Sequence, residues 1–311
     1  MTRAIVIDAD PGQDDAVAIL MALASPEIDV LAVTTVAGNV PQPLVTNNAL
    51  ALVELAGTET PVYQGCVRPM LRDLYTAEYV HGPTGIDGAD LPPPVSKAGD
   101  AHAVDYLIQV CLERDGVTLV PVGPLTNIAM AIVKEPTIVP RIREIVWMGG
   151  GFFEGGNTTP AAEFNAYVDP HAAQVVMSCD APLTIFPLDV THQALIMPEH
   201  LERFRALGTR AGDSVAGMLD FYERFDLAKY GTAGAPLHDP CTIAYLLDPG
   251  LFEGKKVHVE VETGSETTIG MTVMDWWEVT GQEANATVMC RVDGERFMDR
   301  VIAEISRFPL R

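Results

Sequence analysis

The sequence predicts an α/β protein in which an open, Rossmann-like, mainly parallel β-sheet carries helices on both faces, with a helical and β-rich C-terminal part. Two observations lead to this fold class. Short apolar runs alternate with segments of helical spacing from residue 4 to about residue 188, as in successive βαβ units. The strand-like runs are also apolar throughout, which is typical of strands covered on both faces.

The first βαβ unit stands at the N-terminus. Residues 4–8 (AIVID) predict a strand, residues 15–25 predict a helix with apolar positions at helical spacing, and residues 30–38 predict a second strand. The pattern then recurs along the chain. It predicts helices over 43–57, 125–133 and 169–178 and strands over 117–123, 144–150 and 183–188.

The C-terminal part continues without a repeat, a linker or a low-complexity segment, so we expect a single domain over residues 1–311. The Pro/Gly-rich stretch 82–99 predicts a long surface loop, with a flap over a site as the alternative. The remaining predicted elements are helices over 198–207, 212–229, 238–248 and 294–307 and strands over 255–262, 269–277 and 286–293.

Composition limits the function classes. The chain has 311 residues, of which 48% are hydrophobic, and 42 acidic against 20 basic residues give a net charge of −22. This charge makes a nucleic-acid polymer an unfavourable partner. No signal peptide or membrane span is indicated, so we expect a cytoplasmic protein that does not bind a membrane. The five scattered cysteines fit reduced thiols better than disulfides or a zinc site.

The segment DADPGQDD concentrates four carboxylates, Asp8, Asp10, Asp14 and Asp15, at the end of the first predicted strand. Two carboxylates about 4 Å apart repel by about 4 kcal/mol at an effective dielectric of about 20. Helix capping explains one of them and leaves three, whereas a bound cation compensates all. Oxygen ligands select calcium or magnesium, and calcium tolerates an irregular geometry better. Asp239 in LHDPC supplies a further carboxylate from far along the chain.

Small and polar residues follow several predicted strands, where ligands of open parallel sheets bind. The positions are Asp8 and Asp10, Gly38 and Asn39, 123–126, 148–150 beginning at Met148, and Asp189 and Thr191, and most of them are small or polar. A later segment, GNTTPAAEFNAYVDP, carries Asn157, Glu163 and Asn165 in what its Gly and Pro content predicts to be a loop. These side chains suit sugar hydroxyls, and an ordinary hydrated loop is the equal alternative.

Together these segments resemble the nucleoside hydrolase family. The resemblance rests on DADPGQDDAVAIL, VAGN, PVGPLTNIA, IVWMGGGFFEGGNTTPAAEFNAYVDPHAA and HDPCTIA, in this order over about four-fifths of the chain, and more loosely on GMTVMDWW. It implies a calcium-dependent hydrolase that splits a small-molecule nucleoside into base and ribose. The family commonly forms homotetramers or homodimers, and purine/pyrimidine salvage is the expected role.

The resemblance also implies residue roles. Asp10, Asp15, Asp239 and the backbone carbonyl of Thr126 match the metal ligands. Asp10 is our expected base for the attacking water, His238 the expected acid for the leaving base, and His81 matches a position facing that base. The expected substrate-binding residues are Asp14, Asn39, His81, Met148, Asn157, Glu163, Phe164, Asn165 and Asp239.

Two residues bear on the branch of the family that the chain resembles. The histidine of HDP favours the inosine-uridine-preferring or pyrimidine-preferring branch over the purine-specific one, and Asp226 departs from the Tyr or Gln usual at its position.

Other functions agree less well with the sequence. A DxD-type phosphatase would need a hydroxyl soon after its aspartates, where this chain has Pro11. The glycines of MGGGFFEGG do not fit a dinucleotide loop. A non-catalytic calcium-dependent ribose or nucleoside binder remains the main alternative.

Overall fold

The computed structural model describes residues 2–230 and 234–310, without the side chains of residues 223 and 225–230. The strands of the described residues are β1 (Arg3–Ala9), β2 (Ile28–Thr35), β3 (Val62–Gln64), β4 (Val117–Pro121), β5 (Ile142–Met148), β6 (Leu183–Phe186), β7 (Leu195–Ile196), β8 (Ala235–Pro236), β9 (Phe252–Val257), β10 (Val259–Val261), β11 (Thr272–Met274) and β12 (Ala286–Val292). Eight of them form the central sheet in the order β3-β2-β1-β4-β5-β6-β12-β9, parallel except for the antiparallel pair β12 and β9. The other four form two antiparallel pairs, β7 with β8 and β10 with β11.

Helices follow most of the strands, as the alternating pattern predicted. They are α1 (Gln13–Ala24), α2 (Gln42–Ala56), α3 (Glu78–His81), α4 (Ala103–Glu113), α5 (Thr126–Lys134), α6 (Phe164–Val168), α7 (Pro170–Met177), α8 (Leu188–Thr191), α9 (Pro198–Ala206), α10 (Arg210–Tyr230), α11 (Pro240–Leu247) and α12 (Gly294–Ile305), with 3₁₀ turns at Pro136–Arg141 and Pro249–Leu251.

Each face of the sheet carries its own apolar core. Alternate residues of β1 point to opposite sides, so Ile5 and Ile7 pack with α1 and α12 whereas Val6 packs with α4, α5 and α7. Burial on both faces explains why the parallel strands read as continuous apolar runs. The α/β fold class predicted from the sequence is therefore confirmed.

Some elements differ from the sequence prediction. Helix α4 and the short strand β3 were not predicted, and the predicted strand over 255–262 is divided into β9 and β10. The stretch 82–99 contains no helix or strand, as expected of a loop, and none of its residues lines the cavity described below. No helix among the described residues is long and apolar enough to cross a membrane.

Candidate active site

The carboxyl ends of neighbouring strands meet at one cavity. Asn39 follows β2, Val122 follows β4 and Met148 ends β5, and all three line the cavity wall. Asp10, directly after β1, is fully buried. Its backbone N–H donates to Asp15 Oδ1 at 3.2 Å, and its Oδ2 accepts from the backbone N–H of Asn39 at 2.7 Å. Asp15 and Asn39 both line the cavity. Parallel topology thus brings together residues that are far apart in the sequence.

Three carboxylates converge in this cavity. Asp14 and Asp15 lie in the first turn of α1, and Asp239 immediately precedes α11. One oxygen from each lies within 4.8 Å of the others, and all three side chains are buried. Asp15 also accepts a hydrogen bond from the backbone N–H of Gly12 at 2.9 Å. Asp15 therefore caps α1 from the third helical position, whereas the N-cap residue itself is Gly12, and capping leaves the convergence with Asp239 unexplained.

Asp10 occupies a space that only glycine neighbours allow. A Cβ added at Gly38 would lie 2.0 Å from Asp10 Oδ2, and a Cβ added at Gly123 would lie 2.2 Å from Oδ1. Oδ2 accepts a hydrogen bond from the Asn39 backbone N–H at 2.7 Å, whereas Oδ1 is buried with no partner among residues 2–230 and 234–310. A buried carboxylate oxygen without a donor is costly and indicates a missing partner.

The cluster is electrostatically unbalanced. Burial, followed by repulsion from neighbouring carboxylates, raises the pKa of Asp10 and that of Asp239 well above their usual range. Burial raises the pKa of Asp15 to about 6. In the described part of the chain, none of these three forms an ion pair with Lys or Arg. An external positive charge would lower the energy of their ionised forms.

Two asparagines present acceptors to the cavity. Asn39 Nδ2 donates to the backbone oxygen of Asp10 at 3.0 Å and to Asp15 Oδ2 at 3.1 Å. Asn165 Nδ2 donates to the carbonyls of Val122 at 2.9 Å and Met148 at 3.1 Å. Both amide hydrogens of each side chain are thereby used within the protein. Each Oδ1 is left as the group able to accept from a ligand hydroxyl.

Glu163 stands at the N-cap of α6 rather than in an extended loop. Its carboxylate accepts from the backbone N–H groups of Asn165 at 2.8 Å, Gly150 at 2.8 Å and Ala166 at 3.2 Å. The prediction of an irregular loop is thus wrong from Phe164 onward, because the cap starts a helix there. Burial outweighs these donors and raises the pKa of Glu163 to about 7.

Imidazole and aromatic rings also line the cavity. His81, at the end of α3, stacks with Tyr222 of α10 at a centroid distance of 5.7 Å. His238 lies 5.8 Å from the ring of His192, and its Nδ1 lies 2.7 Å from Thr191 Oγ1. Burial lowers the pKa values of His81 and His238 to about 3, so both rings are neutral at pH 7.

Acceptors and planar rings in one cavity suit a ligand with both a polyhydroxylated part and a planar part. Residues 5–299 match the family described as inosine-uridine preferring nucleoside hydrolase. The chain belongs to this nucleoside hydrolase family. Relatives and solved structures agree, so the protein is a ribonucleoside hydrolase.

The similarity spans nearly the whole chain. A protein of Schizosaccharomyces pombe without a described function is 49% identical over 98% of this chain and 99% of its own length. The pyrimidine-specific ribonucleoside hydrolase RihA of Shewanella sp. strain ANA-3 is 46% identical over 98% and 97%. The structure of a purine-preferring ribonucleoside hydrolase from Gardnerella vaginalis superimposes with a TM-score of 0.92 at 34% identity, covering 98% of both chains.

Most candidate residues of the hydrolase lie together. Thr126 does not: its hydroxyl donates to Asp169 Oδ2 at 2.7 Å, and it lines a different cavity. Asp8 is also set apart, because its Oδ1 accepts from Thr34 and Asn127. The predicted residues that line the active-site cavity are Asp14, Asp15, Asn39, His81, Met148, Asn157, Glu163, Phe164, Asn165, His238 and Asp239.

Several lining residues were not identified from the sequence. The carbonyl of Val122 was missed because a backbone group has no sequence signature of its own, and the resemblance assigned the backbone ligand to Thr126. Tyr79 of α3 and Tyr222 of α10 also line the cavity, and neither was singled out from the sequence. His192 also lines the cavity. It follows Thr191, whose hydroxyl lies 2.7 Å from Nδ1 of His238. The side chain of Asp226 lies outside the described residues.

The cavity has the features of a divalent-cation site. Every side-chain atom in the cluster that could coordinate a cation is a carboxylate oxygen, which suits a hard cation. The unpartnered Asp10 Oδ1 and the raised pKa values of Asp10 and Asp239 have a common explanation if positive charge binds there. The residues present therefore fit the metal dependence that the family implies.

Proposed function

We propose that this hydrolase cleaves the N-glycosidic bond of pyrimidine ribonucleosides with Ca²⁺ held among Asp10, Asp15 and Asp239. The observation that carries the proposal is that one cavity combines free amide and carboxylate acceptors with planar rings. Ribose hydroxyls can donate to the acceptors, and a planar base can lie against the rings. The 46% identity with pyrimidine-specific hydrolases supports the choice of base.

The ligand set includes one backbone carbonyl. We assign this role to Val122 in place of Thr126, because Val122 lines the carboxylate-rich cavity and Thr126 does not. The Val122 backbone N–H donates to the Asp8 carbonyl at 2.8 Å, which fixes this peptide against β1. A cation held by these residues would lower the pKa of a coordinated water.

Asp10 acts as the general base. Its Oδ1 has no donor among the described residues, so it is available to take a proton from the attacking water. The Asn39 N–H on Oδ2 and the glycines at 38 and 123 hold the carboxylate in one orientation. Proton removal leaves a hydroxide to attack the anomeric carbon as the bond to the base breaks.

The ribose is held by acceptors that strengthen as positive charge develops on the ring. Asp14, Asn39, Asn165 and Glu163 offer oxygens to its hydroxyls, and Asn157 and Asp239 complete the set. N-glycosidic cleavage passes through an oxocarbenium-like state, and hydroxyls bonded to carboxylates donate more electron density to it. Met148 and Phe164 contribute apolar surface under the sugar and the base.

His238 assists departure of the base. Its neutral ring can donate a hydrogen bond from Nε2–H as negative charge develops on the base, while Nδ1 is engaged by the Thr191 hydroxyl. The released base then takes its proton from solvent. We expect His238→Ala to reduce kcat most for substrates with the poorest leaving bases and least for a riboside with an activated leaving group. Equal losses for both would argue against this role.

Base release from uridine, cytidine, inosine and adenosine, with and without a chelator, tests the proposal. We expect the pyrimidine nucleosides to give the highest kcat/KM and Ca²⁺ to restore activity after chelation. Binding of ribose without release of any base would favour the non-catalytic binder instead. The cytoplasmic location, the salvage role and the homotetrameric or homodimeric assembly stay predictions from the sequence.

A further inference from the structure

Gln13, between the glycine turn and the metal-binding aspartates, has an unusual set of contacts. Its side chain is fully buried at the start of α1. Nε2 lies 2.9 Å from the carbonyl oxygen of His81 and 3.1 Å from that of Asp87. Oε1 lies 2.7 Å from Nδ1 of the His81 ring. One amide therefore holds both the backbone and the imidazole of an active-site histidine.

These contacts determine which ring nitrogen of His81 carries the proton. Backbone carbonyls can only accept, so the Gln13 atom that approaches two of them must be the amide nitrogen. The other terminal atom is then the oxygen, which can also only accept. Nδ1 must therefore be protonated to make the bond of 2.7 Å. In a neutral ring this leaves Nε2 unprotonated.

The Gly12 backbone and the Tyr222 ring also hold the His81 ring in place. A Cβ at Gly12 would lie 2.5 Å from Nδ1, so the ring lies directly against the backbone of the aspartate motif. Tyr222 stacks on it with an interplanar angle of 25°. His81 lines the substrate cavity, and its Nε2 has no hydrogen-bond partner within the described ranges 2–230 and 234–310.

We propose that Gln13 is a positioning residue that fixes His81 as the Nδ1–H tautomer, so that Nε2 offers a hydrogen-bond acceptor to an N–H group of the substrate base. The proposal rests on the proposed function. Nε2 in this form cannot give a proton to the leaving base, so His81 serves recognition. Among pyrimidine nucleosides, N3–H of uracil is such a donor.

His238 provides a contrast within the same cavity. Its Nδ1 partner is the Thr191 hydroxyl, which can either donate or accept. That contact leaves the tautomer of His238 open, so its ring can donate to the base from Nε2. The two histidines thus have different partners and different tasks: one accepts from the intact base, and the other donates to the base as it leaves.

Asn48 provides a matched control for the anchoring part of the contact. Its Nδ2 donates to the carbonyls of Pro11 at 3.0 Å and Thr84 at 2.8 Å, which ties the same loop to the same turn without touching the His81 ring. Asn48→Leu therefore removes two loop anchors only. Gln13→Leu removes two anchors and the Nδ1 acceptor, whereas Gln13→Glu removes the anchors and keeps an acceptor.

The direct test is the ¹⁵N chemical shift of the His81 ring nitrogens in the free protein near pH 7, assigned with His81→Gln. We expect Nδ1 to be protonated in the wild type, in Asn48→Leu and in Gln13→Glu. In Gln13→Leu we expect a shift toward the Nε2–H tautomer. A protonated Nε2 in the wild type, or an unchanged tautomer in Gln13→Leu, would overturn the proposal.

A kinetic test uses uridine and 3-methyluridine, which lacks the N3–H donor. We expect Gln13→Leu to lower kcat/KM for uridine by about 3- to 10-fold, the effect of one hydrogen bond, mainly through KM. Its preference for uridine over 3-methyluridine should fall, and the preference of Asn48→Leu should stay at the wild-type value. An equal fall in both variants would contradict the recognition role. If wild-type protein hydrolysed neither nucleoside, the proposed function would fail, and the ¹⁵N shifts would still decide the tautomer.

Discussion

The two ends of the parallel sheet differ in whether their buried and half-buried charged side chains have a partner of opposite charge. At the amino ends of the strands, Arg3 of β1 forms an ion pair with Glu144 of β5, and Arg3 Nε donates to Thr118 of β4 at 3.0 Å. Glu144 Oε1 accepts from Thr184 of β6 at 2.7 Å and from Tyr245 at 3.3 Å. Each charged group there has a partner supplied by the chain itself.

At the carboxyl ends the chain supplies no such compensation. Burial raises the pKa values of Asp10, Asp15 and Asp239, and repulsion from Asp15 raises those of Asp10 and Asp239 further. None of the three is in an ion pair with Arg or Lys among the described residues. Buried charge that the protein leaves unbalanced is destabilising. Buried carboxylates without an oppositely charged partner therefore mark the end of the sheet where we propose that a cation and a substrate bind.

Asp10→Asn should produce the largest effect. Without the general base, we expect kcat to fall by about 10²- to 10⁴-fold. The free energy of unfolding of the metal-free variant should not decrease, because one negative charge leaves a repelling cluster. Steady-state kinetics and urea unfolding measure the two quantities. Wild-type turnover in this variant would exclude Asp10 as the base.

The pH dependence of metal-free stability should come next in size. The pKa of Asp15 rises from 3.8 to about 6 on folding, so the folded state favours the protonated form. This stabilisation is fully present below about pH 4 and is lost as the pH rises through about 6, a change of about 3 kcal/mol. In the presence of chelator, the free energy of unfolding relative to Asp15→Asn should therefore fall between about pH 4 and pH 7. A flat difference would contradict the raised pKa.

Bound Ca²⁺ should then offset the loss of stability that these buried carboxylates cause at neutral pH. A cation that binds only the folded state stabilises it by about 2.7 kcal/mol at a hundredfold excess over Kd. We expect Ca²⁺ to raise the Tm of the chelated wild type and to have little effect on Asp239→Asn. Thermal unfolding monitored by circular dichroism measures both. An equal increase in the two proteins would place the cation elsewhere.

Glu144→Gln should give the smallest change and the opposite pattern. Arg3 would lose its charged partner at a half-buried site, which should cost about 1–3 kcal/mol of stability. The kcat/KM for uridine should stay at the wild-type value, since Glu144 lies at the other end of the sheet. Loss of activity in a fully folded variant would show that the two ends are coupled.

Much of the fold could be predicted from the sequence because periodicity reports burial. The strand at 4–8 and the helix at 15–25 correspond to β1 and α1 to within a few residues. Helix α4 was missed even though Val104, Leu107 and Cys111 have helical spacing and are buried. Strand β3, with three residues, is too short to show a period.

The parts of the candidate site that depend on tertiary packing could not be predicted from the sequence. The carboxylates of DADPGQDD stand out because their density is unusual for a buried segment. The carbonyl of Val122 and the rings of His192 and Tyr222 reach the cavity only through the packing of separate elements. The bond between Gln13 and His81 joins residues 68 positions apart, and no local pattern indicates it.

A crystal structure grown with Ca²⁺ and ribose would test the central claim most directly. We predict one calcium ion per chain at about 2.3–2.6 Å from oxygens of Asp10, Asp15, Asp239 and the Val122 carbonyl. The ribose hydroxyls should contact Asn39 and Asn165. Calcium bound only at other sites, with these carboxylates turned away from one another, would contradict the account.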